Sequence, residues 1–339
     1  LIGGFFAGAD SIFGVTGWRW VFLVNVPIGL AALVVVTRTL HLAPTSADRS
    51  RIRIDWWGAA SLVVALVPVL TVAEQGRDWG WASGRSITAY VVGALGLAAF
   101  ILAERAMGDA ALIPPKLFKI RAAVVTVAAS VVVGVAMFGG IMLLPLYMQI
   151  VHGASPTESG LLMLPMVGGM MTASIGSGRV ISRTGKVRLF PIVGSAFIVV
   201  ELLLLSLSTA DTAIIWVMLP MFVLGLGLGQ CMQPLLLTMQ SAVPPSDIGV
   251  ATASATFFRQ MGGTLGVAVL LSVLFGTVGG NISTAFDDVR NDEAVIAGLS
   301  EPGVQDKIAG VQDDSSVIET LPAAVAHPIK VGFAESMDT

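Results

Sequence analysis

The sequence is short of charge. Charged residues make up 12% of its 339 residues, about half of the roughly 25% typical of a soluble domain, which excludes an ordinary water-soluble globule. Cysteine and histidine are also scarce. One cysteine, Cys231, excludes an intrachain disulfide and a cysteine-based metal cluster. His41, His152 and His327 are scattered, so a histidine cluster is not expected either. Gly185-Lys186 has no upstream phosphate-loop glycine at the right spacing and no Ser or Thr after it. No catalytic triad or metal-ligand spacing is found. These absences argue against an enzyme and against ATP as an energy source within the chain. A net charge of −3 gives no reason to expect a nucleic-acid partner.

What is present is apolar. Hydrophobic residues make up 55% of the chain and the mean hydropathy is +0.85. The apolar runs are continuous, whereas barrel strands would be short segments of alternating polarity. The sequence therefore reads as an all-α polytopic membrane protein. A spanning helix needs about 20 apolar residues, and runs of that order occur at 20–37, 56–73, 86–103, 122–151, 159–178, 189–208, 213–240 and 249–276. Leu1–Ala9 reads as the tail of one more, so the expectation is about eight complete spans and one partial. The chain begins at Leu1, without Met, inside an apolar stretch, and is expected to be an internal piece of a longer protein.

Lys and Arg orient these spans. Alternate loops (38–54, 104–121, 179–188, 243–247) hold four, four, four and none, twelve in all; the opposite set holds Arg19, Arg77 and Arg85. The first set is therefore expected on the cytoplasmic side. The tail 277–339, with eleven acidic residues against three basic, is expected to be a long extracytoplasmic loop with little apolar periodicity.

Polar groups inside the spans are few. Arg259, beside Gln260, is the single charge in 249–276 and falls near mid-depth. A charge there costs on the order of 2.5 kcal/mol or more and marks a functional site by default. Thr252, Thr256, Arg259, Gly263 and Gly266 share one helical face, as a cavity wall or a helix seam would need. Arg259 can bias a carboxylate or a substrate, or can be structural. It is not a proton carrier, because Arg keeps its proton in proteins.

Glu201 is the only carboxylate well inside a complete span and is a candidate proton carrier or a packing group. Gln230 and Gln233 could line a cavity or join helices. Gln149 and Asn25 are weaker candidates. Gly3 and Gly4, Gly225, Gly227 and Gly229, and the set Gly262, Gly263 and Gly266 allow close helix approach, for packing or for motion. Pro234 is expected to kink its helix. Met163, Met166, Met170 and Met171 suit adaptable apolar contact, with core packing the simpler account. The basic stretch with Arg179, Arg183, Gly185 and Arg188 could latch two helices or anchor the cytoplasmic face.

Three stretches together resemble the fourteen-helix drug:proton antiporter family of the major facilitator superfamily. They are LIGG (1–4) followed by GWRWVFLVNVPIGL (17–30), then LPLYMQIVHGASPTESGLLMLP (144–165) with GSGRVISRTGKVR (176–188), then FFRQMGGTLGVAV (257–269). The resemblance implies that 1–37 ends an N-terminal helical bundle. It implies that 38–121 is a linker with two extra spanning helices, and that 122–276 holds five helices of the C-terminal bundle. The tail 277–339 would then precede a last helix that the chain lacks. One departure is Ser182, where the superfamily's loop motif often has Asp.

The resemblance also implies proton-coupled export of amphipathic drugs or similar small molecules across the cytoplasmic membrane, with no cofactor beyond the proton gradient. The expected partners are the lipid bilayer, a small-molecule substrate and protons, and a monomer is expected. A dedicated exporter of one metabolite, lipid or siderophore stays open at this point, as does a membrane sensor or scaffold that kept the fold.

Overall fold

The computed structural model describes residues 2–7, 11–12, 14–40, 55–310 and 315–337. Leu1 and the 41–54 connection, with His41, Arg49, Arg51 and Arg53, lie outside the described residues. At the N-terminal end, α1 (Ile2–Ala7) is followed by two-residue strands β1 (Ser11–Ile12) and β2 (Val15–Thr16), which pair antiparallel. The apolar stretch that follows forms α2 (Gly17–Leu23) and α3 (Asn25–Thr39), with a break at Val24. Together they make one candidate span of 23 residues.

Helices α4 (Trp56–Trp79) and α5 (Gly84–Met107) form a hairpin. Asp55 caps α4 by accepting from the Gly58 N–H at 2.6 Å, and Ser83 caps α5 through the Ser86 N–H. Between them Gly80 sits at φ 83, in the left-handed region that favours glycine. The two helices approach closely at Gly96, where a Cβ would lie 2.5 Å from the Ala65 backbone nitrogen. The 74–85 segment was expected to be a loop. Glu74 and Arg77 instead lie on α4, and only the turn around Gly80 is non-helical.

A 3₁₀ turn (Pro115–Lys119) leads into α6 (Arg121–Ile150). Then come α7 (Pro156–Leu162), α8 (Leu164–Thr184), α9 (Leu189–Leu205), α10 (Ile214–Ser241) and α11 (Ile248–Asp288). Four prolines lie within these long helices: Pro68 in α4, Pro145 in α6, and Pro220 and Pro234 in α10. Each removes one backbone donor, yet the helices run on through them.

Seven helical stretches among the described residues are long and apolar enough to span a bilayer. The eighth expected span, α9, has 17 residues, about 25 Å against a hydrocarbon core of about 30 Å. The architecture is an all-α, polytopic membrane fold. Within it α10 packs against α8 on one side and α9 on another, while α6 packs along α11.

The segment after 276 departs from its expected form. It is not an extended loop. α11 continues to Asp288, and α12 (Glu293–Leu299), α13 (Val304–Gly310), a 3₁₀ turn (Ser315–Thr320) and α14 (Ala323–Met337) follow. The physical reason is an apolar stripe on α14. Val325, Ile329 and Phe333 recur at i, i+4 and i+8 and are essentially fully buried. Gly332 lets α14 close onto α11, where its Cβ would meet the Ile282 backbone at 2.6 Å. Asn281 donates to the Ser336 hydroxyl at 2.8 Å across the same contact.

Candidate functional site

The site is built on the seam between α6 and α11. Its closeness follows from glycines on both helices. A Cβ at Gly262 would lie 2.8 Å from the Val131 Cα, and one at Gly266 2.8 Å from the Val135 side chain. Gly263 faces Phe138, and Gly134 of α6 rests against the Arg259 carbonyl oxygen. Only residues without a side chain fit there.

The expected face of α11 therefore divides. Gly263 and Gly266 are buried against α6, while Thr252, Thr256 and Arg259 are half-buried. The Thr252 hydroxyl accepts from the Gln240 amide at 3.0 Å, tying α11 to the end of α10. The Arg259 guanidinium has neither an ion pair nor a hydrogen bond among the described residues. Gln260 beside it is exposed. The seam thus fixes the backbone of Arg259 and leaves its charged head unmatched.

Glu201 lies elsewhere. It is 3% exposed and shares a face of α9 with Gly194 and Ile198, which meet Gly227 of α10. α9 packs along α10, whereas α11 packs along α6. Arg259 and Glu201 therefore belong to different helix pairs.

The glycines of α10 serve two neighbours. Gly225 and Gly229, one turn apart, face Met166 and Met170 of α8, while Gly227 faces α9. The expectation of a methionine-lined span becomes a division of roles. Met166 is buried at this contact and Met171 is 58% exposed. Gln230 is half-buried and donates to the Leu226 carbonyl of its own helix; Gln233 is exposed. Gln149 donates to the Ser159 hydroxyl at 3.2 Å, joining α6 to α7. Asn25 is exposed and donates to the Val21 carbonyl. Gly3 and Gly4 fall in α1, which lies against α7.

The basic stretch 179–188 was expected to be a tight loop. Most of it is helix: α8 runs through Arg179 and Arg183 to Thr184, where cations complement the helix C-terminus. Gly185 then ends the helix at φ 67. Arg179, Arg183 and Arg188 are exposed, and the Ser182 hydroxyl donates to the Arg179 carbonyl.

Three polar features escaped the sequence reading. Lys116 is clamped between Asp109 at 2.8 Å and Asp247 at 3.0 Å, joining the end of the hairpin to the start of α11. Hydrogen bonds to those two carboxylates hold its ammonium above the usual lysine range. Glu104, read as part of a polar loop, is buried at the end of α5 and accepts from the Ile113 N–H at 2.8 Å. The His152 ring, after α6, stacks edge-on against Tyr147, and its Nε2 is buried without a hydrogen bond. Burial, with Lys330 nearby, holds this imidazole below the usual histidine range. All three depend on contacts between segments that local pattern does not reveal.

Comparison with known proteins agrees with this architecture. The sequence profile of the Major Facilitator Superfamily matches residues 1–267. A tetracycline resistance determinant of Streptomyces rimosus is 33% identical over 83% of this chain and 84% of its own length. The multidrug transporter protein MdtP of Bacillus subtilis is 30% identical over 76% of this chain and 47% of its own length. An aspyridones efflux protein of Neocamarosporium betae is 33% identical over 74% of this chain and 46% of its own. The chain thus spans about half the length of the last two. The profile match covers most of the chain and the helices are those of a polytopic membrane protein; the chain belongs to the Major Facilitator Superfamily, a family of transporters and not of enzymes, and its relatives include drug efflux proteins.

Proposed function

We propose that this chain acts within a proton-driven exporter of amphipathic small molecules in the cytoplasmic membrane, with Arg259 on the transport pathway. The observation that carries the reading is Arg259 itself. It is a permanent cation near the middle of a spanning stretch, half-buried, with its backbone held in a glycine seam and its charge unmatched among the described residues. A charge at such depth is retained for function more often than for stability. In this fold class, helical repeats rock about a central site near mid-membrane. An unmatched cation there sets the field that a carboxylate or a substrate meets as the site alternates.

The relatives support the chemistry. One is a tetracycline resistance determinant and another a multidrug transporter. The absence of a nucleotide loop in the sequence supports an ion gradient over ATP. The excess of Lys and Arg in the 38–54, 104–121 and 179–188 loops supports placing them in the cytoplasm.

A second reading, a dedicated exporter of one metabolite, is favoured by the aspyridones efflux protein among the relatives. One experiment addresses both. The protein is expressed in an efflux-deficient bacterial host, and accumulation of a broad panel of drugs is measured with and without a protonophore. Export of several amphiphiles that stops with the protonophore supports the main reading, and export of a single compound supports the second. Unchanged accumulation across the panel, with the protein in the membrane, refutes the main reading.

A further inference from the structure

A recess of about 670 Å³ lies where α9 begins. Its walls are the turn between α8 and α9, the first turn of α6 at Ala122, and the end of α10 at Thr238 and Ser241. Lys186 and Arg188 both line it, and no acidic residue does. The turn that carries them is held by its own hydrogen bonds. The Lys186 N–H donates to the Thr184 hydroxyl at 3.3 Å, and the Val187 N–H to the Gly185 carbonyl at 3.0 Å. Both cations are exposed, and neither has an ion pair among the described residues. The recess is therefore a positively charged concavity whose own walls supply no counter-charge.

The same recess opens onto an apolar track. Leu189 and Ile192 of α9 also line it. With Val199 and Leu203 they fall on one face of the helix, and that face is uncovered: Ile192 is 69% and Leu203 62% exposed. From Leu189 to Leu203 the track runs about 20 Å, longer than the roughly 15 Å of hydrocarbon in one leaflet. α9, with 17 residues, is about 5 Å shorter than the whole hydrocarbon core. A short span draws the polar boundary of the bilayer inward around itself, which brings headgroups to the level of its first turn.

We propose that the recess binds the phosphate of an anionic phospholipid between Lys186 and Arg188, with one acyl chain laid along Leu189, Ile192, Val199 and Leu203. Basic pockets between spanning helices at the cytoplasmic face suit such headgroups. The choice of leaflet rests on the cytoplasmic placement of the 179–188 stretch argued above. A soluble phosphate would match the cations and leave the apolar track unused. A cationic amphiphile would meet two like charges. The Thr238 and Ser241 hydroxyls donate to carbonyls of their own helix and so face the recess as acceptors. A headgroup with hydroxyls of its own, such as that of phosphatidylglycerol, supplies the donors. A lipid seated there would tie the α8–α9 turn to the ends of α6 and α10.

The test uses the purified full chain in detergent, titrated with phosphatidylglycerol or with phosphatidylcholine of identical acyl chains. Retained lipid is read by native mass spectrometry, and stabilisation by thermal shift. The wild type is expected to keep one phosphatidylglycerol roughly tenfold more tightly than phosphatidylcholine. Lys186→Gln with Arg188→Gln should erase that preference and leave phosphatidylcholine retention unchanged. Lys186→Arg with Arg188→Lys should keep it. Ile192→Asn, on the track, should lower retention of both lipids. Leu203→Asn does the same from the far end of the track and covers the case in which Ile192→Asn fails to fold. Inorganic phosphate should displace phosphatidylglycerol no better than chloride at the same ionic strength.

Equal retention of the two lipids by the wild type overturns the proposal. So does a preference that survives the double glutamine substitution. Displacement by inorganic phosphate beyond that by chloride, with retention untouched by either asparagine, would assign the recess to a soluble phosphate compound instead. The leaflet has its own test. Ser182→Cys, exposed on the same stretch, should resist a membrane-impermeant maleimide in intact cells, where the native Cys231 is buried. Labelling at Ser182→Cys would overturn the cytoplasmic placement, while lipid retention in detergent is independent of it. Loss of the export reading would appear as unchanged drug accumulation and would leave these lipid measurements as they stand.

Discussion

α11 and α9 each carry one ionisable group within an apolar stretch, Arg259 well inside α11 and Glu201 about one turn before the end of α9, and the two are housed differently. Arg259 is half-buried beside a seam of glycines, its backbone fixed by Gly134 and its charge unmatched. Glu201 is 3% exposed, on the face of α9 that α10 covers. A charge within an apolar span is therefore not enough to mark a pathway residue. A group that stays reachable and unmatched can change partners as the protein alternates. A group sealed between two helices is held by them.

The largest effect expected comes from breaking the seam that holds Arg259. Gly134→Leu drives a side chain into the Arg259 carbonyl and should destabilise the protein by about 3 kcal/mol, read as a lowered thermal midpoint in detergent. A midpoint equal to wild type would mean that the seam does not position Arg259. The next test removes the charge and leaves the seam intact. Arg259→Ala should lower export at least tenfold, a loss of about 1.4 kcal/mol, with an unchanged thermal midpoint. Wild-type export by that variant would take Arg259 out of the pathway.

A smaller effect probes the end of α6, which must stay fixed if the two regions are to be compared. The folded-state pKa of His152 lies below its unfolded value of 6.5, so the unfolded chain takes up the proton first as pH falls. The stability this residue contributes is present above pH 6.5 and is lost on acidification below it. The loss should be smaller than the one expected for Gly134→Leu. Thermal melts at pH 7.5 and 5 should show it, and His152→Gln should flatten the difference. An equal drop in that variant would assign the acid sensitivity to other groups.

The smallest effect is expected at Glu201. If α10 merely covers it, Glu201→Gln should change proton-driven export by no more than about twofold, or ~0.4 kcal/mol. Loss of export with intact membrane insertion would reverse the ranking of the two regions and make Glu201 the coupling group.

Much of this arrangement is legible in the sequence. The spans are continuous apolar runs, and Arg259 stands out as a lone charge in one of them. The limits come from contacts between distant segments. Gly225, Gly227 and Gly229 read as one set, yet they face two different helices. Gly263 and Gly266 share helical spacing with Arg259, but α6 buries the glycines and touches Arg259 only through its backbone, leaving that residue half-buried. α14 was missed because its stripe of Val325, Ile329 and Phe333 is interrupted by His327, Pro328 and Lys330, and its burial depends on α11. Glu104 looked like a loop residue because its hydrogen bond comes from Ile113, beyond the end of its helix.

The continuity of α11 has a mechanical consequence. Its 41 residues make a rod of about 60 Å, twice the hydrocarbon thickness. From Arg259 to Ile282, where α14 leans on it, the rod is about 35 Å long. A tilt of about 5° pivoting at Arg259 would move the α14 contact by about 3 Å over that length. A change of charge near the middle of the membrane would thus be felt, amplified, at the far end of the molecule.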